Sequence, residues 1–476
     1  MGQRLWLPPD SPCVQAWWRP RPPRYPDAMA SLPFVLRRPW LLAQNILADR
    51  ADPDLDVLRR ITDPERFLWS ILPHAARTFS ACIALLPASS AKASAVAYLY
   101  CRMLDTYEDL VPGRVQRQEA LETFAARFDQ MAADGSLPPA PPLNAISVDA
   151  ADRAHVLLVE RCELVDRVHK GLDPAVRSII RDLVVDMAEG MVWGSNTFED
   201  QGGALADEEQ LLRYCRAVLG NPVVFVARIS MLAREGRAEL TEEEQRCAMR
   251  SGEFVQLANV TRDVEKDLAR GVTYHPTLAG DLGRKLTRPR ARFAKGGTDR
   301  AAALSERDAT DDHDTALVER ARIARADFLR LALERADDYG RLVSLLDNCL
   351  TRASTVLMLL FTDRHYRGTA VRVGLAPWGQ RPSSLSLIAT ALPAMVSRAW
   401  TRRVVRPRVT AMTAACAQLP PAPERGPVQE TDPIPVPPPV QDRTPAPTDR
   451  APGTAPAPAD SLETRDDAPA AEPRTV

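Results

Sequence analysis

The sequence predicts an all-α protein, and three observations carry that prediction. Apolar residues recur at three- and four-residue intervals across residues 156–169, 176–193, 208–219, 242–268 and 315–350, the spacing that lays one apolar stripe along a helix. Strand-like alternation with hairpin dipeptides is rare. No internal repeat with a period of about 20–50 residues appears, which speaks against a helical solenoid.

Taken in chain order, the elements divide as follows. Residues 1–30 carry Trp6, Trp17, Trp18 and a run of prolines ending at Pro26 without helical or strand periodicity, and are expected to be disordered. They lack the apolar core and small-residue cleavage site of a signal peptide, so Met29 is a candidate start. Residues 31–418 are expected to form one all-α domain. Within it Asn221-Pro222 should interrupt one helical stretch, and Gly271 with Pro276 should end another. Residues 283–314 form a polar insertion carrying Arg284, Lys285, Arg288, Arg290, Arg292 and Lys295, read as a solvated segment, with a flap over an anionic ligand as the alternative. Residues 384–396 are apolar but too short to span a bilayer, and Arg398, Arg402, Arg403, Arg406 and Arg408 follow at once. Region 384–408 therefore reads either as an interfacial helix on an anionic membrane or as the last amphipathic helix of the bundle. Residues 419–476, rich in Pro, Ala, Thr and Asp, cannot bury enough apolar surface to offset the entropy of ordering and are expected to be a disordered tail.

Composition narrows the function. With 61 basic and 62 acidic residues the net charge is −1, which argues against nucleic acid as a partner because phosphate-backbone binding needs a basic surplus. The 8 cysteines are scattered, with no Cys-x-x-Cys pair and no zinc-like spacing to histidine. Reduced, mostly buried thiols in a cytoplasmic protein are expected. No glycine-rich nucleotide cradle is present.

The chemistry lies in two acidic pentads, Asp105-Thr106-Tyr107-Glu108-Asp109 and Asp263-Val264-Glu265-Lys266-Asp267. On a helix, aspartates at i and i+4 share one face, about 6 Å apart, within reach of one hard cation. A single such pair is usually a solvated face. Here both pairs follow apolar helical stretches, and buried like charges need a counter-charge. Mg²⁺ fits: it takes oxygen ligands, only one or two protein carboxylates, and completes its shell with water and substrate phosphate. Asp105, Asp109, Asp263 and Asp267 are the metal anchors in this reading, with Glu108 beside them. The apolar runs 81–86, 184–192 and 218–226 offer walls for a dry tunnel.

Five blocks in order carry a family resemblance. The stretch from Tyr98 through Arg102 to Asp109 resembles the first aspartate-rich segment of squalene synthases. The stretch from Gln256 through Asn259 and Arg262 to Asp267 resembles the second segment, shared by squalene and phytoene synthases. Ala76-Arg77-Thr78-Phe79-Ser80 is similar to the family's Ser-Arg-Ser/Thr-Phe element, with Ala76 where serine is usual. Residues 186–191 resemble its central Met/Gly-rich helix, and residues 212–220 its Tyr-Cys element, in register at Tyr214 and Cys215 but with Leu219 in place of alanine.

The resemblance implies a single isoprenoid-synthase-type helical bundle with a central active-site cavity. It implies a Mg²⁺-dependent prenyltransferase that joins two isoprenoid diphosphates head to head. Asp105, Glu108, Asp109, Asp263 and Asp267 would hold metal; Arg77, Arg102, Arg262, Gln256 and Asn259 would hold diphosphate; Tyr98, Tyr214 and Arg77 would be catalytic. The first motif favours farnesyl diphosphate as substrate and presqualene diphosphate or squalene as product, with NADPH as reductant. The exit Arg270-Gly271-Val272-Thr273-Tyr274-His275-Pro276 resembles phytoene-type enzymes, so phytoene synthase on geranylgeranyl diphosphate is the alternative. A non-catalytic scaffold relative is the reading from another class, opposed by the intact pentads. A monomer is expected, cytoplasmic, with peripheral contact to the cytoplasmic membrane face through 384–408.

Overall fold

Fixed caps and close glycine contacts decide where the helices start and how near they come. The computed structural model describes residues 32–48, 53–76, 78–143, 152–284 and 305–419. The chain opens with α1 (Phe34–Ala48), α2 (Leu55–Arg59), α3 (Pro64–Ala76), α4 (Thr78–Leu85) and α5 (Ala88–Leu110). Next come α6 (Arg114–Asp129), α7 (Arg153–Glu160), α8 (Cys162–Lys170), α9 (Pro174–Asp200) and α10 (Glu208–Cys215). A π-helical turn (Arg216–Gly220) leads into α11 (Asn221–Glu235), followed by α12 (Glu242–Ala269). After a 3₁₀ turn (Pro276–Asp281) follow α13 (Ser305–Leu333), α14 (Ala336–Leu345), α15 (Cys349–Arg372), α16 (Ser384–Ala391), a second 3₁₀ turn (Leu392–Met395) and α17 (Arg398–Cys416). Among the described residues there is no strand; one isolated bridge pairs Ala204 with Thr273. The all-α expectation is met.

The two longest site helices have strong starts. Asp173 accepts from the Ala175 amide and Pro174 takes the first position of α9, where its missing N–H is harmless. Thr241 and Glu244 form a capping box on α12, with Glu242 and Glu243 beside them in the first turn. Such a cap is worth about 1 kcal/mol and favours that register. At the far end Gly271 adopts φ +84°, and the Val272 amide bonds back to the Asp267 carbonyl at 3.0 Å. The predicted stop of this helix is thus a left-handed glycine cap placed directly after the second pentad.

Two apolar clusters flank the centre. One, from α3 and α5 to α9, is built on Phe67, Trp69, Tyr100, Phe124 and Ile180; the other, from α12, α13 and α15, on Phe254, Phe328, Leu357 and Tyr366. Phe79 and Val218 pack against both, so the clusters meet around the central cavity. The π turn is wedged between α9 and α12. A Cβ on Gly190 would lie 2.2 Å from the Ala217 Cβ, and one on Gly252 would lie 2.5 Å from the Gly220 Cα. Only glycine permits either approach. A buried Glu253 locks the wedge, accepting from Arg216 Nε at 2.7 Å and pairing with Arg335.

Three expectations change. Asn221-Pro222 does not interrupt its helix: the Asn221 amide bonds to the Arg216 carbonyl, five residues back, and this wider turn lets Pro222 pass in the first turn of α11. The stretch 315–350 is not one helix; it breaks at Glu334–Arg335, where Arg335 turns in toward Glu253, and again before the Asn348 cap of α15. The tail of the polar insertion is helical, since α13 begins at Ser305. Arg284 pairs with Asp281 at 3.0 Å, while Lys285, Arg288, Arg290, Arg292 and Lys295 lie outside the described residues.

Both helices of 384–408 pack one face on the bundle. α16 buries Leu387, Ile388 and Ala391, and α17 buries Val404, Val405, Val409 and Met412. Cys82, Cys101, Cys162, Cys215 and Cys247 are buried free thiols, as expected, and Cys349 is exposed.

Candidate active site

A cavity of about 350 Å³ runs between the two clusters. From α5 it is lined by Tyr98, Arg102, Asp105, Glu108 and Asp109; from α10 by Tyr214; from α12 by Gln256, Asn259, Arg262, Asp263 and Asp267. Helical spacing alone explains this, because each set recurs every three or four residues along one face. Every residue singled out in the sequence is therefore brought to one cavity except Arg77, which lies outside the described residues. The inner walls are apolar, with Ile83, Leu86, Leu183, Val218, Phe225 and Met358 among them, drawing on two of the three predicted tunnel runs together with α9 and α15. Met187 represents the third run.

Charge is concentrated at one end. Both pentads occupy the final turns of their helices, where the unpaired carbonyls already make the local potential negative. Burial pushes Asp105 up to about 6 against the pull of Arg102, whose guanidinium lies 3.0 Å away, and Asp109 adds to the rise. Burial and the neighbouring Asp109 and Asp105 push Glu108 up to about 8, against a hydrogen bond from Ser195 Oγ at 3.2 Å. Burial and Asp263 push Asp267 up to about 7, opposed by Lys266 and Arg270. Asp109 is raised as well, chiefly by burial, although Arg270 Nη1 sits 3.8 Å from it. The two pentads thus meet across Arg270 in a site short of positive charge.

That shortage is the test of a divalent cation, and the donors fit one. All are hard carboxylate oxygens. Among the described residues no three ligating side chains converge closely enough to hold an ion on their own. Mg²⁺ does not require that, since it binds through one or two carboxylates with water and phosphate completing the shell.

The remaining side chains have defined partners. Arg102 donates to the Tyr98 hydroxyl at 2.9 Å as well as pairing with Asp105, and Tyr98 in turn donates to the Ala75 carbonyl at 3.4 Å. Arg262 grips Asp263 through two bonds of 2.9 and 2.6 Å. Asn259 donates to Gln256 at 3.0 Å. Tyr214 stacks obliquely on Tyr274 with ring centroids 5.3 Å apart, Phe198 stands edge-on to both, and burial holds both phenols well above their ordinary pKa.

Sequence reasoning passed over three lining residues and one, Ser195, that bonds to the lining from behind. Lys266 and Arg270 follow Asp263 at helical spacing and share its face, so that signal was readable. Tyr274 lies in the exit motif. Ser195, from α9, left no sequence signal. Conversely, Glu265 inside the second pentad turns away from the cavity and pairs with Arg325 of α13. A second, more polar chamber of about 690 Å³ shares Glu108, Asp109, Asp267, Arg270 and Tyr274 with the first and adds Arg117 and Ser195.

The chain is 26% identical over 211 residues to lycopaoctaene synthase of Botryococcus braunii, covering 44% of this chain and 43% of that protein. It is 26% identical over 211 residues to squalene synthase ERG9 of Candida albicans, covering 44% of each. The chain thus spans less than half the length of the curated relatives it matches. A solved structure of TcSQS in complex with the ligand BPH1237 superposes with a TM-score of 0.50 at 15% identity, covering 75% of this chain and 99% of the other, a likeness of fold. The squalene/phytoene synthase family model matches residues 72–341, which hold both pentads and the π turn between them, and the chain belongs to that family.

Proposed function

We propose that the protein joins two isoprenoid diphosphates head to head with Mg²⁺, using farnesyl diphosphate to make presqualene diphosphate and, with NADPH, squalene. The observation that carries this reading is the pairing of two carboxylate pentads, from α5 and α12, at the charged end of a cavity whose other walls are apolar. A diphosphate needs the first and an isoprenoid tail the second. Membership of a family of prenyltransferases supports it.

The reaction begins when the allylic C1–O bond breaks and its electron pair leaves with diphosphate. Mg²⁺ at Asp105, Asp109, Asp263 and Asp267 would supply Lewis-acid stabilisation of that leaving group. Arg102, Arg262, Lys266 and Arg270 converge on the same end and present fixed donors to phosphate oxygens. The rings of Tyr98 and Tyr214 line the cavity beyond the carboxylates, where an aromatic face stabilises a cation. Burial holds both phenols protonated, and the Tyr214 ring lies against Tyr274 with centroids 5.3 Å apart. The apolar wall excludes water that would quench the cation to an alcohol.

The first motif supports the squalene-type product. Tyr274 and Arg270, which line the cavity within a phytoene-type exit, favour phytoene synthesis from geranylgeranyl diphosphate as the second reading. Incubation with fifteen- and twenty-carbon diphosphates, with and without NADPH, followed by mass spectrometry of the lipid extract, separates them. No head-to-head product from either substrate would overturn both and leave a non-catalytic relative. The proposal includes a cytoplasmic monomer with peripheral membrane contact through 384–408.

A further inference from the structure

We propose that the outer face of α15, α16 and α17 docks on an anionic lipid bilayer, a surface wider than the 384–408 segment and beginning beside the second carboxylate pair. From residue 364 to residue 419 the chain carries Arg364, Arg367, Arg372, Arg381, Arg398, Arg402, Arg403, Arg406 and Arg408 and no aspartate or glutamate. In a chain of net charge −1 that is a pronounced segregation. The fold gathers the segment into one wall, with α16 and its following 3₁₀ turn lying on α15, and α17 packed on α14 and α15.

Structure divides these arginines into two groups. Arg367 and Arg408 pair with the buried Asp363, at 2.7 and 3.6 Å, Arg398 pairs with Asp347 at 2.6 Å, and Arg364 donates to Ser384 at 2.8 Å; these hold the wall together. Arg372, Arg381, Arg402, Arg403 and Arg406 are exposed and have no carboxylate partner among the described residues. Interspersed with them are large apolar side chains that the bundle leaves outside: Val371 at 61% exposure, Leu385 at 65% and Val396 at 87%. Exposed cations beside exposed aliphatic residues match the two layers of an anionic membrane surface, headgroup phosphate and acyl boundary. An acidic protein would match the charge but would leave the aliphatic side chains without a reason.

Position adds a functional link. His365, on α15 between Arg364 and Arg367, meets the Thr261 hydroxyl at 3.0 Å, directly before Arg262 and Asp263. The basic wall therefore adjoins the second pentad. Substrates with isoprenoid tails, on the reading above, partition into the same bilayer.

The test is co-sedimentation of the full chain with phosphatidylcholine vesicles, with and without phosphatidylglycerol, across a salt series. Binding is expected only with the anionic lipid and should fall as salt rises. Changing Arg402, Arg403 and Arg406 together to glutamine should weaken it about 100-fold, from roughly fivefold per charge. Val396→Asn should weaken it about tenfold at fixed charge by removing an acyl contact. Turnover in detergent should stay unchanged in both variants. Equal binding to neutral vesicles, no binding at all, or full binding by the triple variant would overturn the proposal. Because binding is read without substrate, failure of the reaction assigned above leaves this result separate.

Discussion

The two pentads have the same aspartate spacing, yet the protein surrounds them differently. On α5 the acidic groups Asp105, Glu108 and Asp109 all face the cavity, and one cation, Arg102, pairs within the motif. On α12 Glu265 turns outward to Arg325, while Arg262 binds Asp263 and Lys266 and Arg270 join the lining. The first pentad is thus a surplus of negative charge; the second arrives with its own cations. The difference teaches that a motif's spacing sets where carboxylates point, whereas its neighbours set how much counter-charge they still require.

The comparison breaks most sharply at the shared aspartates. Asp105→Asn and Asp263→Asn should each lower turnover by about 10³-fold or more with helical content retained, because both pairs are needed for one leaving group. Steady-state kinetics with circular dichroism checks this, and chelation should abolish turnover in the wild type. If either variant kept more than a tenth of wild-type activity, the pentads would not form one site.

A smaller effect separates the arginines. Arg102 is held by Tyr98 and Asp105 within α5, while the Arg262 side chain is 53% exposed and bound to Asp263 alone among the residues described. Arg102→Lys should therefore cost about 100-fold in kcat/KM and Arg262→Lys about tenfold, since lysine keeps the charge but loses the fixed two-pronged geometry. Equal losses would mean that charge alone matters at both helices.

Smaller again is the contrast between glutamates. Glu108→Gln should lower turnover about tenfold, as it removes a carboxylate from the lining. Glu265→Gln should leave turnover within about twofold and instead lower the melting temperature by a few degrees through the lost contact to the buried Arg325. The reverse pattern would show that the orientation of the second pentad changes when substrate binds.

Much of this was legible in the sequence because helical spacing is a local property. Asp105 and Asp109, or Asp263 and Asp267, share a face whatever the rest of the chain does, and Gly271 stops α12 by its own backbone freedom. What could not be read depends on distant partners. Glu265 points outward because Arg325, sixty residues later, waits there; Arg335 breaks a predicted helix because Glu253 needs a second cation. The π turn was hidden for the same reason: Pro222 signals a break locally, but Gly190 and Gly252 from other helices make room for a wider turn.

The smallest expected effect is a pH slope, and its sign follows from the raised carboxylates. Asp105, Asp267 and Glu108 are pushed up to about 6, 7 and 8 in the folded protein, from ordinary values of 3.8 and 4.5. Between the ordinary and raised values the folded chain holds protons that the unfolded chain has released, so stability falls as pH rises through this window. Below about pH 3 the groups are protonated in both states, and above about pH 9 they are ionised in both, so the slope should vanish at either end. Scanning calorimetry of metal-free protein should show a melting temperature falling by a few degrees between pH 5 and pH 8. Glu108→Gln should match the wild type at pH 5 and exceed it at pH 8, because the variant has no charge left to desolvate. Mg²⁺ with a non-hydrolysable diphosphate analogue should restore the wild type most at pH 8 and release protons on binding near pH 7, measurable by titration calorimetry in two buffers. Glu265→Gln should leave the slope unchanged; if it flattens the slope as much as Glu108→Gln, the charge surplus does not belong to the first pentad.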